Sequence, residues 1–247
     1  MSRVVGLNGC IIGLMHSKVV GVDGCKAGWL AAAYDLDSRK LTFTTHANFS
    51  SLLASCSEAA SIAVDIPIGL TEEFRPRQCD LQARRLVGPR RSSVFPVPDR
   101  RLLLLTYVEA SAFSRQQSGK GLTRQSFAIF DKIAQADSAM SRDLQSRVFE
   151  VHPEVCFWAA AGRHLLYNKR TPDGFTERQS ILERVFPAIG ILSRHGAGRL
   201  LPGAGPDDVL DSAIASWTAW RHARGTCERV PELPEFDVRG LRMEMVY

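Results

Sequence analysis

The feature that most restricts the fold lies between residues 18 and 46. Three runs with strand character, KVVGVD (18–23), WLAAAYDL (29–36) and LTFTTH (41–46), are separated only by GCKAG and DSRK. Connections this short join antiparallel neighbours, because a parallel partner needs a crossover of roughly a dozen residues or more. The three runs therefore form a meander. NFSSLLASCSEA (48–59) then reads as a helix, with Asn48 as N-cap and Phe49, Leu52, Leu53 and Cys56 at helical spacing, and a further apolar run follows in SIAVDIPIGL (61–70). A right-handed crossover places that fourth strand parallel to the first. With a fifth strand at RVFEVHPE (147–154) the expected sheet is mixed, of order 3-2-1-4-5, in an α/β fold with strands 1, 4 and 5 parallel.

Two of these buried runs end in a carboxylate. Asp23 closes the first and Asp65 the fourth, each beside a glycine-containing loop. A lone Asp at a strand end is usually a turn or cap residue, but in this order both acids emerge at one sheet edge on strands about 5 Å apart. Like charges that close raise each other's pKa unless a cation lies between them. A hard divalent ion with oxygen ligands resolves the conflict. The third element is PGAGPDDVLDSAIASWTAWRHARG (202–225), a helix with Pro206 in its first turn, acids at its N-terminal end and Gly225 closing it. Asp208 and Asp211 lie on one side of it, with Asp211 at the margin of an apolar face formed by Val209, Leu210, Ala213, Ile214, Trp217 and Trp220. If that margin meets the edge carrying Asp23 and Asp65, the acids form a two-metal centre suited to in-line phosphodiester hydrolysis, with Asp23, Asp65 and Asp211 as ligands and Mg²⁺ or Mn²⁺ as the ion.

Between strands 4 and 5 lies a long insertion (about 71–147) with helical stretches near 101–117 and 123–140. The net charge of +5 is concentrated here: eight arginines between residues 75 and 101 face only Asp80 and Asp99. Arginine's planar fork suits phosphate. Arg90, Arg91, Ser92 and Ser93, in a loop stiffened by prolines, are candidate phosphate donors, as are Arg77, Arg84 and, in the first turn, Lys26. Arg77, Asp80 and Arg84 have the alternative of an internal salt-bridge ladder. Glu150 and His152 alternate on strand 5 and are secondary candidates for the metal edge or for holding a ligand carboxylate; a buried His152 and a helix-capping Glu154 are the competing readings. The helix at 175–194 is expected to kink at Pro187, and LRMEMVY (241–247) to add a short terminal strand.

Residues 1–17 read as an extension preceding one domain (18–247), with no small-residue cleavage site and with Met15 as an alternative start. Six cysteines without C-x-x-C spacing point to reduced thiols in a cytoplasmic protein rather than to zinc or a disulfide framework. No apolar run is long enough to cross a bilayer.

The meander ending in Asp, the acid on strand 4 and the late Asp-x-x-Asp helix resemble the ribonuclease H-like superfamily, and in spacing the RuvC-type Holliday-junction resolvases. GVDGCKAGW (21–29), VDIPIGL (64–70), RQCDLQAR (77–84), RRSSVFPVP (90–98), QSFAIFDKI (125–133), EVHPEVCFW (150–158) and DDVLDSAIASWTAWR (207–221), in that order, resemble domain-of-unknown-function family 429, described as predicted nucleases of the RNase H fold. The resemblance runs from about Lys18 to Tyr247. It implies a three-layer RNase H-like fold, Asp23 as first-strand metal ligand, Asp65 as fourth-strand acid, and Asp208 and Asp211 as the terminal-helix pair. The insertion, longer than in simple ribonuclease H, would select the substrate.

The expected function is a metal-dependent nuclease acting on DNA, RNA or a small phosphodiester. Two other readings stand beside it. An actin-like sugar-kinase relative would use DGCKAG (23–28) to cradle phosphates, although no second glycine-rich turn follows Asp65 and the chain is short for two domains. A non-catalytic protein would use the acid pocket or the arginines to bind a nucleotide or nucleic acid.

Overall fold

The first three strands fold back on one another as their short turns require. The computed structural model describes residues 17–186 and 201–247. Strands β1 (Lys18–Cys25), β2 (Gly28–Asp35) and β3 (Leu41–His46) form the antiparallel meander. Helix α1 (Phe49–Ser55), whose first turn is capped by the Asn48 side chain accepting from the Ser51 N–H at 2.9 Å, carries the chain to β4 (Ala59–Val64). That strand pairs parallel with β1, and β5 (Val148–Glu150) pairs parallel with β4, so the sheet order is β3-β2-β1-β4-β5. Strand β5 is shorter than the sequence implies. Pro153 has no N–H for the ladder and instead opens helix α6 (Pro153–Ala161), with His152 at its N-cap.

The insertion contains α2 (Gln78–Leu86), α3 (Tyr107–Ser118), α4 (Arg124–Phe127) and α5 (Phe130–Ala139), with a 3-10 turn at Gly88–Ser93. It is partly built into the core. Gln135 of α5 accepts from Trp29 Nε1 at 3.0 Å and from the Phe49 N–H at 3.1 Å, which locks α5 to the sheet and to α1. After α6 come α7 (Pro172–Val185) and α8 (Pro206–Ala223). The expected kink at Pro187 and the extension before residue 17 lie outside the described residues.

Two apolar layers sandwich the sheet. On one face Val19, Ala63 and Phe149 pack with Cys156, Leu182, Leu210 and Ile214 of α6, α7 and α8. On the other, Val20, Val22, Ile62 and Val64 pack with Phe49, Leu52 and Ile133 of α1 and α5. The tail adds β6 (Arg229–Phe236) and β7 (Arg242–Val246), an antiparallel pair separate from the main sheet. Only β7 was readable in advance, because Pro231 and Pro234 interrupt the pattern of β6. No helix among the described residues is long and apolar enough to cross a membrane.

Candidate acid site

Alternate residues of a strand share a face, and this parity decides which side chains meet. Val19 belongs to the α8 side of β1 and Val20 and Val22 to the other, so Gly21 and Asp23 face α8. On β4, Ala63 belongs to the α8 side, which gives that face to Asp65 as well. Because β1 and β4 are parallel, both carboxylates reach the same edge; the Asp65 N–H still donates to the Val22 carbonyl at 2.9 Å.

Gly21 admits the third element. A Cβ there would lie 2.0 Å from Ser216 N and 2.1 Å from Ser212 O, both backbone atoms of α8, so only glycine lets the helix lie this close to the strand. One turn toward its N-terminus, the helix brings Asp211 and Asp208 into the field of Asp23. The four expected acids are thus brought together.

The electrostatics record that crowding. Asp23 is held well above the ordinary carboxylate range, first by burial and then by repulsion from Asp65, Asp211 and Asp208, with Lys169 offsetting part of it. Asp65 is pushed up to about 6 by burial; His152 and Lys169 pull it down, and Asp211 and Glu154 push it up. Burial also raises Asp208, against the Gly205 N–H that its carboxylate accepts at 2.7 Å. Lys169, which the sequence did not single out, donates to Asp211 Oδ2 at 2.6 Å and is held protonated chiefly by that carboxylate, with Asp65 and Asp23 contributing.

His152 and Glu154 border Asp65. The Nε2 of His152 lies 3.2 Å from the Ser93 carbonyl. A carbonyl only accepts, so Nε2 carries a hydrogen toward it, and Nδ1 is buried without a hydrogen-bond partner. A cavity of about 20 Å³, enough for one water, is lined by Asp65, His152, Glu150 and Arg77. Glu154 pairs with the buried Arg178 through Oε1, and its Oε2 has no partner.

Other candidates are placed differently. Glu150 has the parity of Val64 rather than of Asp65, since the two residues are in register. It accepts from the Ile68 N–H at 2.7 Å and takes a two-pronged ion pair from Arg77 at 2.7 and 2.8 Å, so it does not turn to the acid cluster. Arg77 is 1% exposed and is also held by Asp80 at 2.6 Å; its guanidinium is a core element and does not lie on the surface where phosphate contact was expected. Arg100 and Arg101 are likewise committed, to Asp237 and Asp99 among others. Among the described residues, Arg84, Arg90 and Arg91 have no carboxylate partner. Arg91, Ser92 and Ser93 are exposed on the 3-10 turn that abuts His152, while Arg90 donates to the Leu166 carbonyl at 2.7 Å. Lys26 is exposed at the tip of the β1–β2 hairpin. That hairpin is filled by protein: the Lys132 side chain lies against Gly24, and the Ala27 N–H donates to the Gly203 carbonyl at 3.2 Å.

The donors suit a hard divalent ion, all being carboxylate oxygens whose charge Lys169 offsets only in part. Among the described residues no three His, Cys, Asp or Glu side chains are gathered on one metal position. An ion such as Mg²⁺ needs only one or two protein carboxylates, with water and phosphate oxygens completing its shell; Asp23 and Asp65, adjacent at the edge, are the residues that could hold one. A family model described as "Protein of unknown function (DUF429)" matches residues 21–235. Comparison with curated proteins and with solved structures gives no match.

Proposed function

The chain belongs to the DUF429 family, and we propose that it is a divalent-metal-dependent hydrolase of phosphodiester bonds in nucleic acid, built on an RNase H-like core. One observation carries the reading: Gly21 lets α8 lie on β1, which adds Asp208 and Asp211 to Asp23 and Asp65 at the carboxyl edge of parallel strands. An array of buried acids this costly to the fold is retained where a cation and a phosphate complete it.

Asp23 and Asp65 would hold Mg²⁺ or Mn²⁺, which when bound polarises the phosphoryl group and favours a nucleophilic water. The remaining roles belong to the chain. Arg91, Ser92 and Ser93 offer donors to the substrate backbone beside the site, and Lys26 and Arg84 stand as further phosphate contacts. His152, whose Nε2 is held by the Ser93 carbonyl, turns an unpartnered Nδ1 to the adjoining cavity and is the candidate to exchange a proton with a water there. The five described cysteines are unpaired, which suits a cytoplasmic protein.

The test is Mn²⁺-dependent cleavage of labelled single-stranded, duplex and branched DNA and RNA, with the Asp23→Asn variant as control and far-UV circular dichroism reporting the fold. Cleavage by the native chain that disappears in folded Asp23→Asn is the expected result. Undiminished cleavage by that variant, or none by the native chain on any of these substrates, would overturn the proposal.

A further inference from the structure

Lys169 lies in a fastened loop. The Thr171 side chain caps α7 by accepting from the Gly174 N–H at 3.1 Å and donates to the Asn168 carbonyl at 2.8 Å. Glu177 accepts from the Leu166 and Tyr167 N–H groups at 3.0 and 3.1 Å, and Arg178 donates to the Tyr167 carbonyl. Gly174 lets the loop close, since a Cβ there would sit 1.9 Å from the Asn168 carbonyl oxygen. The loop therefore aims one lysine into the acid site, where its ammonium meets Asp211.

That contact takes Oδ2 of Asp211 at 2.6 Å, and the ammonium's charge, a few ångströms away, opposes a second ion on Oδ1 of the same carboxylate. Among the described residues Asp211 is paired with Lys169 and Asp208 accepts from the Gly205 N–H, whereas Asp23 and Asp65 have no ion-pair partner, so a divalent ion is suited to those two.

Resting on the function proposed above, we infer that the site binds a single divalent ion, at Asp23 and Asp65, and that the Lys169 ammonium takes the place of the second ion expected of a two-metal centre. Lys169 is then the cation that faces the phosphate from the Asp211 side. The Lys169→Met variant should open that side to a second ion.

The experiment counts bound Mn²⁺ by the loss of the free-ion electron paramagnetic resonance signal, in the native chain, Lys169→Met, Lys169→Arg and Lys169→Met/Asp211→Asn, with circular dichroism on each. One ion in the native chain, two in Lys169→Met, one in Lys169→Arg and one again in the double variant is the expected pattern. Two ions in the native chain, or one in Lys169→Met, would overturn the inference while leaving the metal-dependent reading standing. No ion in the native chain would overturn both. If Lys169→Met does not fold, Lys169→Gln replaces it, with the same counts deciding.

Discussion

Replacing Gly21 with alanine tests the geometry on which the acid site depends, whatever the site does. The new methyl group would meet Ser216 N at 2.0 Å, Ser212 O at 2.1 Å and the Ala215 carbonyl carbon at 2.6 Å. These are helix backbone atoms and cannot rotate away, so strand and helix must separate by about 1.4 Å to reach ordinary contact at 3.4 Å. Forcing extra volume into a packed interior costs about 1–3 kcal/mol, sometimes more, against a gain of roughly 0.5–1 kcal/mol from replacing glycine within a strand. Gly24→Ala in the same strand is the control. Its methyl group would meet only the Lys132 side chain, at 2.8 Å, and that flexible end can move. Urea denaturation should therefore show Gly21→Ala destabilised by about 1 kcal/mol net, up to about 2.5 kcal/mol, and Gly24→Ala unchanged or slightly stabilised. The retreat of α8 also carries Asp211 and Asp208 away from Asp23, and a misplacement of about 1 Å can reduce catalysis about a hundredfold. Equal stability and equal Mn²⁺ affinity for Gly21→Ala and the native chain would refute the close approach of α8.

Removing Arg77 leaves Glu150 and Asp80 as buried charges without their shared partner, so Arg77→Met should lose about 3–5 kcal/mol in the same assay. Arg91→Ala, at an exposed position, should leave stability unchanged. If Arg91 contacts phosphate, its loss should weaken nucleic-acid binding alike for all sequences and flatten the salt dependence by about one unit, read by fluorescence anisotropy. In chelator the pH dependence follows from Asp65. Its folded pKa, about 6, lies above the ordinary 3.8, so its contribution favours folding below the ordinary value and is lost as pH rises through the folded one. The stability of Asp65→Asn relative to the native chain should therefore increase across that interval and level off above it; a flat difference in chelator would contradict the burial and crowding of Asp65.

What the sequence disclosed and what it concealed separate along a physical line. The sheet order followed from connection lengths, because GCKAG and DSRK permit only hairpins and the 48–59 helix only a crossover. Asp23 and Asp65 followed as well, since a residue at the end of a strand is located by the strand order alone. Glu150 was misplaced because its side depends on the register of β5 against β4, which a three-residue strand does not announce. Lys169 was hidden for a different reason: it is 42 residues from its partner in sequence, in a polar loop with no periodicity, and its position is set by the contacts among Asn168, Thr171 and Gly174. Arg77 and Arg91 look alike in composition, yet one anchors the core and the other faces solvent, because only Arg77 precedes a helix lying against β6 and β7. Carboxylates on strands are therefore the readable half of such a site, and the cations that neutralise them are the hidden half. Lys169 is such a cation: its ammonium takes Asp211 Oδ2, and only the folded loop places it there.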